Sequence, residues 1–321
     1  MKITIVTLNY NGSEETLKLL RSLKEQANQD FEIIVVDNAS EEADFAKLQE
    51  VIHKTTSQVV YPQGSTVLYP PQVKVIRNSQ NLGFSGGNNV GIRQALGWNM
   101  DTDPAEPPRK GDSGASWVVL LNNDTWVERG FVDRLRAVLT AKNGVVGIPL
   151  VEGDRTAYAG KIGWLKPTLK HIYQNPTYYI LHTTYCYAIG AAMAIHKDVF
   201  DKIGFLDEKY FLYFEDADFS VRARKAQIPI CIKYDIMIYH TISASTKKLG
   251  SPLLLRYHYR NALYFNRKNG PWYIKLLVWP WSLIIVIKQL GKLAINRDKK
   301  ESDAILTGIV DFYKNRMGKI K

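Results

Sequence analysis

Cysteine is scarce in this chain of 321 residues: Cys186 and Cys231 are the whole supply, far apart and without CxxC spacing. That excludes a disulfide-dense secreted framework and a thiolate zinc site, and it points to a reducing compartment. Lys2 leads straight into a β-branched run with no apolar leader or small-residue cleavage site, so no signal peptide is expected. Long uncharged runs are missing as well. The apolar core from Leu276 to Ile287 is bounded by Lys275 and Lys288, short of the roughly 20 residues of a spanning helix. There is no internal repeat and no recognisable nucleic-acid-binding module.

Negative charge is also short. Lysine and arginine number 42 against 31 acids, a balance of +11, which favours polyanions, anionic membrane surfaces or phosphate-bearing small molecules. A nucleic-acid partner would explain the charge but not the acids at strand ends described below, which would repel phosphates. No nucleic acid is expected. Hydrophobic content of 45% with 23% charged residues is that of a globular protein of one large or two modest domains.

What is present alternates. ITIVTL (3–8), FEIIVVD (31–37), VKVIRN (73–78) and WVVLLNND (117–124) read as buried strands, with helical patterns through Leu17, Leu20 and Leu23 and from about Ser85 to Trp98. Near-continuous Val/Ile/Leu strands separated by helices predict an α/β fold with a mostly parallel sheet covered on both faces. Ligands of such sheets bind at the carboxyl ends of the strands, where TLNYN, VVDNAS and LLNND fall.

Residues 57–72 and 99–115 are rich in Pro, Gly and polar residues and read as surface insertions. The DTD at 101–103 lacks a preceding buried strand and is followed by Pro104, so it reads as solvated loop. Residues 155–195 suit shorter, partly antiparallel strands, and helix returns at 197–203, 215–226 and 251–268. WYIKLLVWPWSLIIVIKQLGKL (272–293) carries Trp272, Trp279 and Trp281 between lysines. It reads as an interfacial membrane segment or a buried core helix, with Pro280 kinking or interrupting it. The basic tail beyond it suits anionic lipid.

Several strand ends carry candidate chemistry. Asn122 and Asp124 point the same way from LLNND; Asp124 suits a hard cation and Asn122 a sugar hydroxyl or metal-bound water, or both close an Asx turn. Asp37 is placed to bond a base or ribose with Tyr10 as a packing surface, unless either is a helix cap. The run NLGFSGGNNVGI (81–92) is a tight strand-to-helix turn or a phosphate contact; it is not GxGxxG and follows the third strand, which disfavours a dinucleotide fold. His240 ends IMIYH and, with Asp124, makes an N and O set suited to Mn²⁺ or Mg²⁺. Arg256 and Arg260 suit diphosphate oxygens or a solvated helix face. In FLYFEDADFSVRARK (211–225), Glu215, Asp216 and Asp218 crowd like charges beside aromatics, either as an acidic helix start or as a proton acceptor or cation site.

The order TLNYNG, VVDNAS, NLGFSGGNNVGI, LLNNDTWV, GAAMAIHKDVFDKIGFLDEKYFLYFEDADFSVRARKA and YHTISAST, across roughly residues 1 to 270, resembles family 2 glycosyltransferases. More narrowly, it is similar to the rhamnosyltransferase-like branch that builds bacterial surface polysaccharides. The resemblance implies a GT-A fold, a nucleotide-diphospho-sugar donor (dTDP-L-rhamnose first, a UDP-hexose or UDP-galactofuranose otherwise), a divalent cation and inversion at the anomeric carbon. The implied acceptor is a glycan or lipid-linked oligosaccharide at the inner face of the cytoplasmic membrane, with peripheral contact to anionic lipid. By position, Asp37 holds the base with Asn9 and Tyr10 beside it, and Asn88 helps bind the nucleotide. Asp124 matches the second acid of the DxD motif, Asn122 replaces the first, and His240 matches a metal-contacting histidine. Asp216 matches the catalytic base of the Glu-Asp pair, with Glu215 capping, orienting Asp216 or touching the acceptor.

The helix supports that last match: Glu215, Asp218 and Arg222 share a face while Asp216 sits about 100° away, so Arg222 pairs with Asp218 or Glu215 and leaves Asp216 for the acceptor hydroxyl. Asn122, with one charge fewer, keeps a non-catalytic nucleotide-sugar-binding homologue open. Expected domains are a catalytic 1–270, with a nucleotide-sugar-binding half (1–125) and an acceptor half (126–270), and a C-terminal amphipathic, basic helical region (271–321).

Overall fold

The first strands are apolar without interruption because both of their faces are covered. In β1 (Ile3–Asn9), Ile3 and Ile5 enter one core and Val6 the other; in β2 (Glu32–Asp37), Ile33 and Val35 oppose Ile34 and Val36. Successive strand residues point to opposite faces, so a strand between two helical layers has no polar side. Helices α1 (Ser13–Lys24) and α2 (Glu42–Lys54) cover the first face through Leu19, Leu23 and Leu48. The computed structural model describes residues 1–54, 59–60, 66–67, 72–98, 114–139, 144–164, 168–173, 186–240 and 251–320.

Two short strands, β3 (Val59–Val60) and β4 (Thr66–Val67), lead into β5 (Gln72–Arg77) and α3 (Gly83–Ala95). Next come β6 (Trp117–Leu121), β7 (Thr125–Trp126), α4 (Phe131–Leu139), β8 (Val145–Gly147), β9 (Leu150–Glu152) and β10 (Arg155–Ala157). β11 (Ala159–Gly163), β12 (Thr168–Ile172), β13 (Cys186–Tyr187), β14 (Ala192–His196) and α5 (Lys197–Ile203) follow. The main sheet has the order β15-β8-β14-β6-β1-β2-β5-β4-β3, where β15 is Ile230–Ile232. Its centre, β6-β1-β2-β5, is parallel, and β14 inserts antiparallel between β6 and β8. The order reverses beside β1, so the carboxyl ends of β1, β2 and β6 form the ligand edge.

Two smaller sheets flank that edge. One has the order β10-β9-β16-β7, with β16 spanning Ile238–His240, and the other β12-β11-β13. Between β14 and β15 lies α6 (Glu215–Lys225). The chain closes with α7 (Pro252–Asn269), α8 (Trp272–Ala294) and α9 (Lys299–Tyr313), which share a core of Leu263, Val278, Ile285, Ile305, Ile309 and Phe312.

The four strands and the helices at 197–203, 215–226 and 251–268 stand where the pattern places them, within a few residues. Two expectations change. The first insertion is not loop alone: β3 and β4 extend the sheet antiparallel on β5. Pro280 does not interrupt α8, which runs through it. Ile274, Val278, Ser282, Ile285 and Gln289 form one buried stripe on both sides of the proline, and that docking holds the helix together across the missing N–H. Most of 57–72 and 99–115, including Asp101 and Asp103, lies outside the described residues, as does TISAST at 241–246.

Candidate active site

The end of β1 meets the end of β2 in a closed polar knot. The Asn9 amide nitrogen lies 2.9 Å from Asp37 Oδ1 and 3.1 Å from Ser40 Oγ and Asp44 Oδ2, while its oxygen accepts from Thr16 Oγ1 at 2.8 Å. Asp37 also accepts from the Ser40 N–H at 3.2 Å and pairs with Arg77 Nε at 3.5 Å. Both side chains are fully buried, and Tyr10 beside them is 51% exposed. Asn38, which the sequence reading passed over, ties this edge to the glycine-rich block: its amide donates to Asn81 Oδ1 and to the Gly83 carbonyl, and accepts from the Leu82 N–H.

The glycine-rich block then locks onto the segment ahead of α6. Gly83 has φ +73°, and a Cβ there would stand 2.4 Å from the Phe211 carbonyl oxygen, so only glycine fits. The Phe84 N–H donates to that carbonyl at 2.6 Å. Asn89 clamps the same segment through Leu206 and Glu208. Asn88 is buried, and its amide donates to the Phe84 carbonyl at 2.9 Å within its own helix.

After β6, the chain turns: the Asn122 carbonyl accepts from Thr125 Oγ1 at 2.6 Å, and the Asn122 N–H donates to Ala191. Asn123 anchors the turn on α1 through the Gly12 carbonyl and Thr16. β7 pairs with β16 so that Thr125 faces His240, and Asp124 Oδ2 comes to 3.2 Å from His240 Nε2. Burial works to lower the His240 pKa, but the hydrogen bond and charge of Asp124, with Glu152 behind, raise it overall.

The three acids of α6 have three fates. Phe211, Tyr213 and Phe214 all have φ between 62° and 76°, a left-handed backbone costing on the order of 1–2 kcal/mol per residue. Asn261 of α7 holds that strained run by donating to the carbonyls of Tyr210 at 2.8 Å and Leu212 at 2.7 Å. It delivers Asp218 into full burial among Arg222 Nε at 2.7 Å, Lys268 Nζ at 2.8 Å, Asn269 Nδ2 at 2.6 Å and Tyr210 Oη at 3.2 Å. Glu215 is buried, and its Oε2 has no hydrogen-bond partner among the described residues. Burial pushes its carboxyl well above the usual range, and the charge of Asp216 adds to that.

Asp216 is half-buried, with Oδ2 accepting from the Gly190 N–H at 2.9 Å and Oδ1 from the Ala217 N–H at 2.7 Å. A Cβ on residue 190 would lie 3.1 Å from Asp216 Cβ, so the glycine lets main chain approach the carboxylate. Burial raises Asp216; the Gly190 and Ala217 bonds and the charge of His171 restrain the rise. A half-buried carboxylate held by N–H donors and raised in pKa is suited to accept a proton.

The arginines expected at a diphosphate have other work. Arg260 is 1% exposed and donates to the carbonyls of Arg316 and Tyr210 and to Asn261; Arg256 pairs with Asp311 at 2.7 Å. The structure thus gathers Asn9 with Asp37, and Asp124 with His240, while Arg260 is committed to main chain. It adds a cluster that residue spacing does not reveal. Glu152 Oε2 stands 3.4 Å from His171 Nδ1 and accepts from Tyr173 Oη at 3.1 Å. β9 and β12 bring these residues together, and β9 runs beside β16, which carries His240.

Asp124 and His240 are one hard and one borderline donor at the ligand edge, which fits Mn²⁺ or Mg²⁺. Among the described residues no group of three or more His, Cys, Asp or Glu is gathered to hold a metal; within them this pair is what could ligate one.

Comparisons with known proteins bear on the family and the fold. The model of glycosyl transferase family 2 matches residues 4–204. The dTDP-rhamnosyl transferase RfbF of Shigella flexneri is 24% identical over 96% of this chain and 95% of its own. The N-acetylglucosaminyl-diphospho-decaprenol L-rhamnosyltransferase of Mycobacterium tuberculosis is 22% identical over 86% of this chain and 88% of its own. Among solved structures, the mannosyltransferase PcManGT of Pyrobaculum calidifontis, in complex with GDP-Man and Mn2+, superposes with a TM-score of 0.52 at 10% identity, over 98% of this chain and 87% of that one. TarS of S. aureus superposes with a TM-score of 0.50 at 16% identity, over 84% of this chain; the match spans only 40% of TarS. At these identities the solved structures speak for the fold.

Proposed function

The chain belongs to glycosyl transferase family 2 and has the GT-A fold, and from that premise we propose that it is an inverting, metal-dependent hexosyltransferase. It takes L-rhamnose from dTDP-rhamnose and places it on a hydroxyl of a glycan or lipid-linked oligosaccharide in bacterial surface polysaccharide synthesis. The donor follows the two rhamnosyl-transferring relatives, and the lipid-linked acceptor follows the second of them.

The observation that carries the reading is Asp216. It is the acid of α6 that is neither neutralised like Asp218 nor enclosed like Glu215. Oriented by two main-chain N–H groups, it takes the proton of the attacking acceptor hydroxyl. Glu215, whose carboxyl burial pushes well above the usual range, favours its neutral form and so tends to keep a second negative charge away from that oxygen. Asn9 fixes Asp37 for the base, with Tyr10 open as a stacking surface; Asn88 and Asn122 border the nucleotide and sugar. Arg260 acts here as a holder of the segment before α6. A divalent cation held by Asp124 and His240 supplies charge neutralisation on the leaving diphosphate.

Residues 1–270 form the catalytic unit in this reading, with 1–125 on the nucleotide side and 126–270 on the acceptor side, and 271–321 dock it on the inner face of the cytoplasmic membrane. Only 28% of the most apolar window of α8 is buried, too little for a core helix. Leu276, Trp279 and Ile287 stand exposed between Lys275 and Lys288, with Trp272 exposed just ahead of them, the pattern of an interfacial helix.

A donor panel tests the proposal: dTDP-rhamnose, UDP-hexoses and UDP-galactofuranose, each with Mn²⁺, Mg²⁺ or EDTA, followed by binding and slow donor hydrolysis. Saturable binding and metal-dependent turnover of dTDP-rhamnose is the expected result. Preference for a UDP-sugar overturns the donor, and undiminished turnover in EDTA overturns the metal.

A further inference from the structure

We propose that the cleft between α8 and α9 binds one hydrocarbon chain of the lipid that carries the acceptor, with that lipid's phosphate at the basic end beside Lys314. This rests on the lipid-linked acceptor proposed above. The cleft has a volume of about 380 Å³ and is lined chiefly by Trp279, Leu283, Val286, Val310, Tyr313 and Lys314. That size lies in the range of small-molecule sites.

Its polar floor is already closed. Ser282 Oγ and Tyr313 Oη lie 2.6 Å apart, and Ser282 donates to the Trp279 carbonyl at 2.7 Å. An occupant therefore meets chiefly apolar walls over a floor whose two hydroxyls already bond each other, which suits a hydrocarbon chain rather than a sugar or a peptide main chain. Leu283, Val310 and Tyr313 are exposed along the rim, so the empty cleft leaves apolar surface in water.

One end of the cleft is cationic and leads to the catalytic segment. Lys314 lines the cleft, and Arg316 and Lys319 are exposed further along the same tail, with Arg316 3.9 Å from Asp311; the Lys314 ammonium is the charge complement to a phosphate or diphosphate. From Lys314 the tail turns back onto the loop ahead of α6: the Gly318 N–H donates to the Lys209 carbonyl at 2.8 Å, and Arg260 holds the Arg316 carbonyl at 3.1 Å. A lipid seated with its chain in the cleft thus carries its phosphate on the same tail that is fastened to the segment delivering Glu215 and Asp216. The exposed outer face of α8, with Leu276, Ile284 and Ile287, meets the bilayer from which such a chain would come.

The test uses the full chain and a diazirine-bearing farnesyl phosphate, with labelled peptides mapped by mass spectrometry, beside sedimentation with phosphatidylglycerol vesicles. Expected labels fall on α8 near Leu283 and on α9 near Val310. Val310→Trp, and independently Leu283→Trp from the opposite wall, should cut labelling by about tenfold or more, because several methylene contacts are lost, while vesicle binding persists. Leu276→Glu with Ile287→Glu should do the reverse, and Lys314→Glu should weaken farnesyl phosphate but not farnesol. Labelling that survives both tryptophans overturns the proposal. So does equal labelling by an acyl-chain probe, or a dimer that Val310→Trp dissolves, since the occupant is then a membrane phospholipid or a second copy. Transfer to a prenyl-diphosphate-linked acceptor with no cleft labelling sinks the cleft alone. Transfer only to water-soluble glycans, with no labelling, sinks the acceptor reading and the cleft with it.

Discussion

Asp37 and Asp216 both sit at the ligand edge of this protein, and their surroundings differ in kind. Asp37 is fully buried in a knot where Asn9, the Ser40 N–H and Arg77 all reach it. Asp216 is half-buried, held by N–H groups of Gly190 and Ala217 with no side-chain ion pair among the described residues, and stands beside the buried Glu215, whose Oε2 has no hydrogen-bond partner among those residues. The β1–β2 side of the edge is thus built from satisfied polar groups, which hold position. The α6 side keeps carboxyls at raised pKa behind a strained aromatic run, which is where reactive groups collect. Within α6 the same contrast recurs over two residues: Asp218 has four donors, and its rigidity is what frees Asp216.

The largest break in that contrast is Asp216→Asn. Transfer should fall by about 10²–10⁴-fold with donor affinity unchanged, read by initial rates beside calorimetric titration of the nucleotide-sugar. In the parent, the raised Asp216 carboxyl must lose its proton to act, so the acidic limb of the rate should lie above the ordinary carboxylate range; a variant that transfers at the parent rate removes Asp216 from the mechanism.

Asp218→Asn attacks the satisfied member. Leaving Arg222 and Lys268 around a neutral amide should cost about 3–5 kcal/mol of stability, measured by urea denaturation, and a loss well under 1 kcal/mol would show that the network is not what holds α6. Glu215→Gln sharpens the contrast at smaller scale. Because the folded pKa of Glu215 is raised, the parent keeps its full contribution below the unfolded carboxylate pKa and loses it as pH rises through the folded value. Glutamine stays neutral throughout. The variant should match the parent at acid pH and exceed it progressively at higher pH, by on the order of 1 kcal/mol; a difference that is flat with pH excludes a protonated Glu215.

Local patterns made much of this legible. Uninterrupted apolar runs announced strands buried on both faces, and the acids and amides at their ends announced a ligand edge, because strand geometry alone delivers residues there. Helical spacing put Arg222 on one face with Asp218 and Glu215, and the structure gives it to Asp218. Asn38, Asn89 and Asn261 were passed over: each bonds main chain far away in sequence, and an asparagine carries no mark of which carbonyl it will meet. Arg260 is the converse. Its guanidinium suited diphosphate oxygens or a solvated helix face, yet the carbonyls of Tyr210 and Arg316 claim it.

By itself, then, the sequence determined the α/β class, the order of strands and helices, the family and the short list of candidate acids, because these depend on residue type and on periods of two and 3.6. Only the tertiary structure decided how the acids divide their roles. Whether a carboxyl is satisfied, enclosed or open depends on donors from Gly190, Lys268 and Asn269, which are remote in sequence and are brought to α6 by β14 and α7. It also decided that α8 keeps its apolar face outward. Burial is a property of the packed neighbours, and the stripe from Ile274 to Gln289 is as much of that helix as α7 and α9 cover.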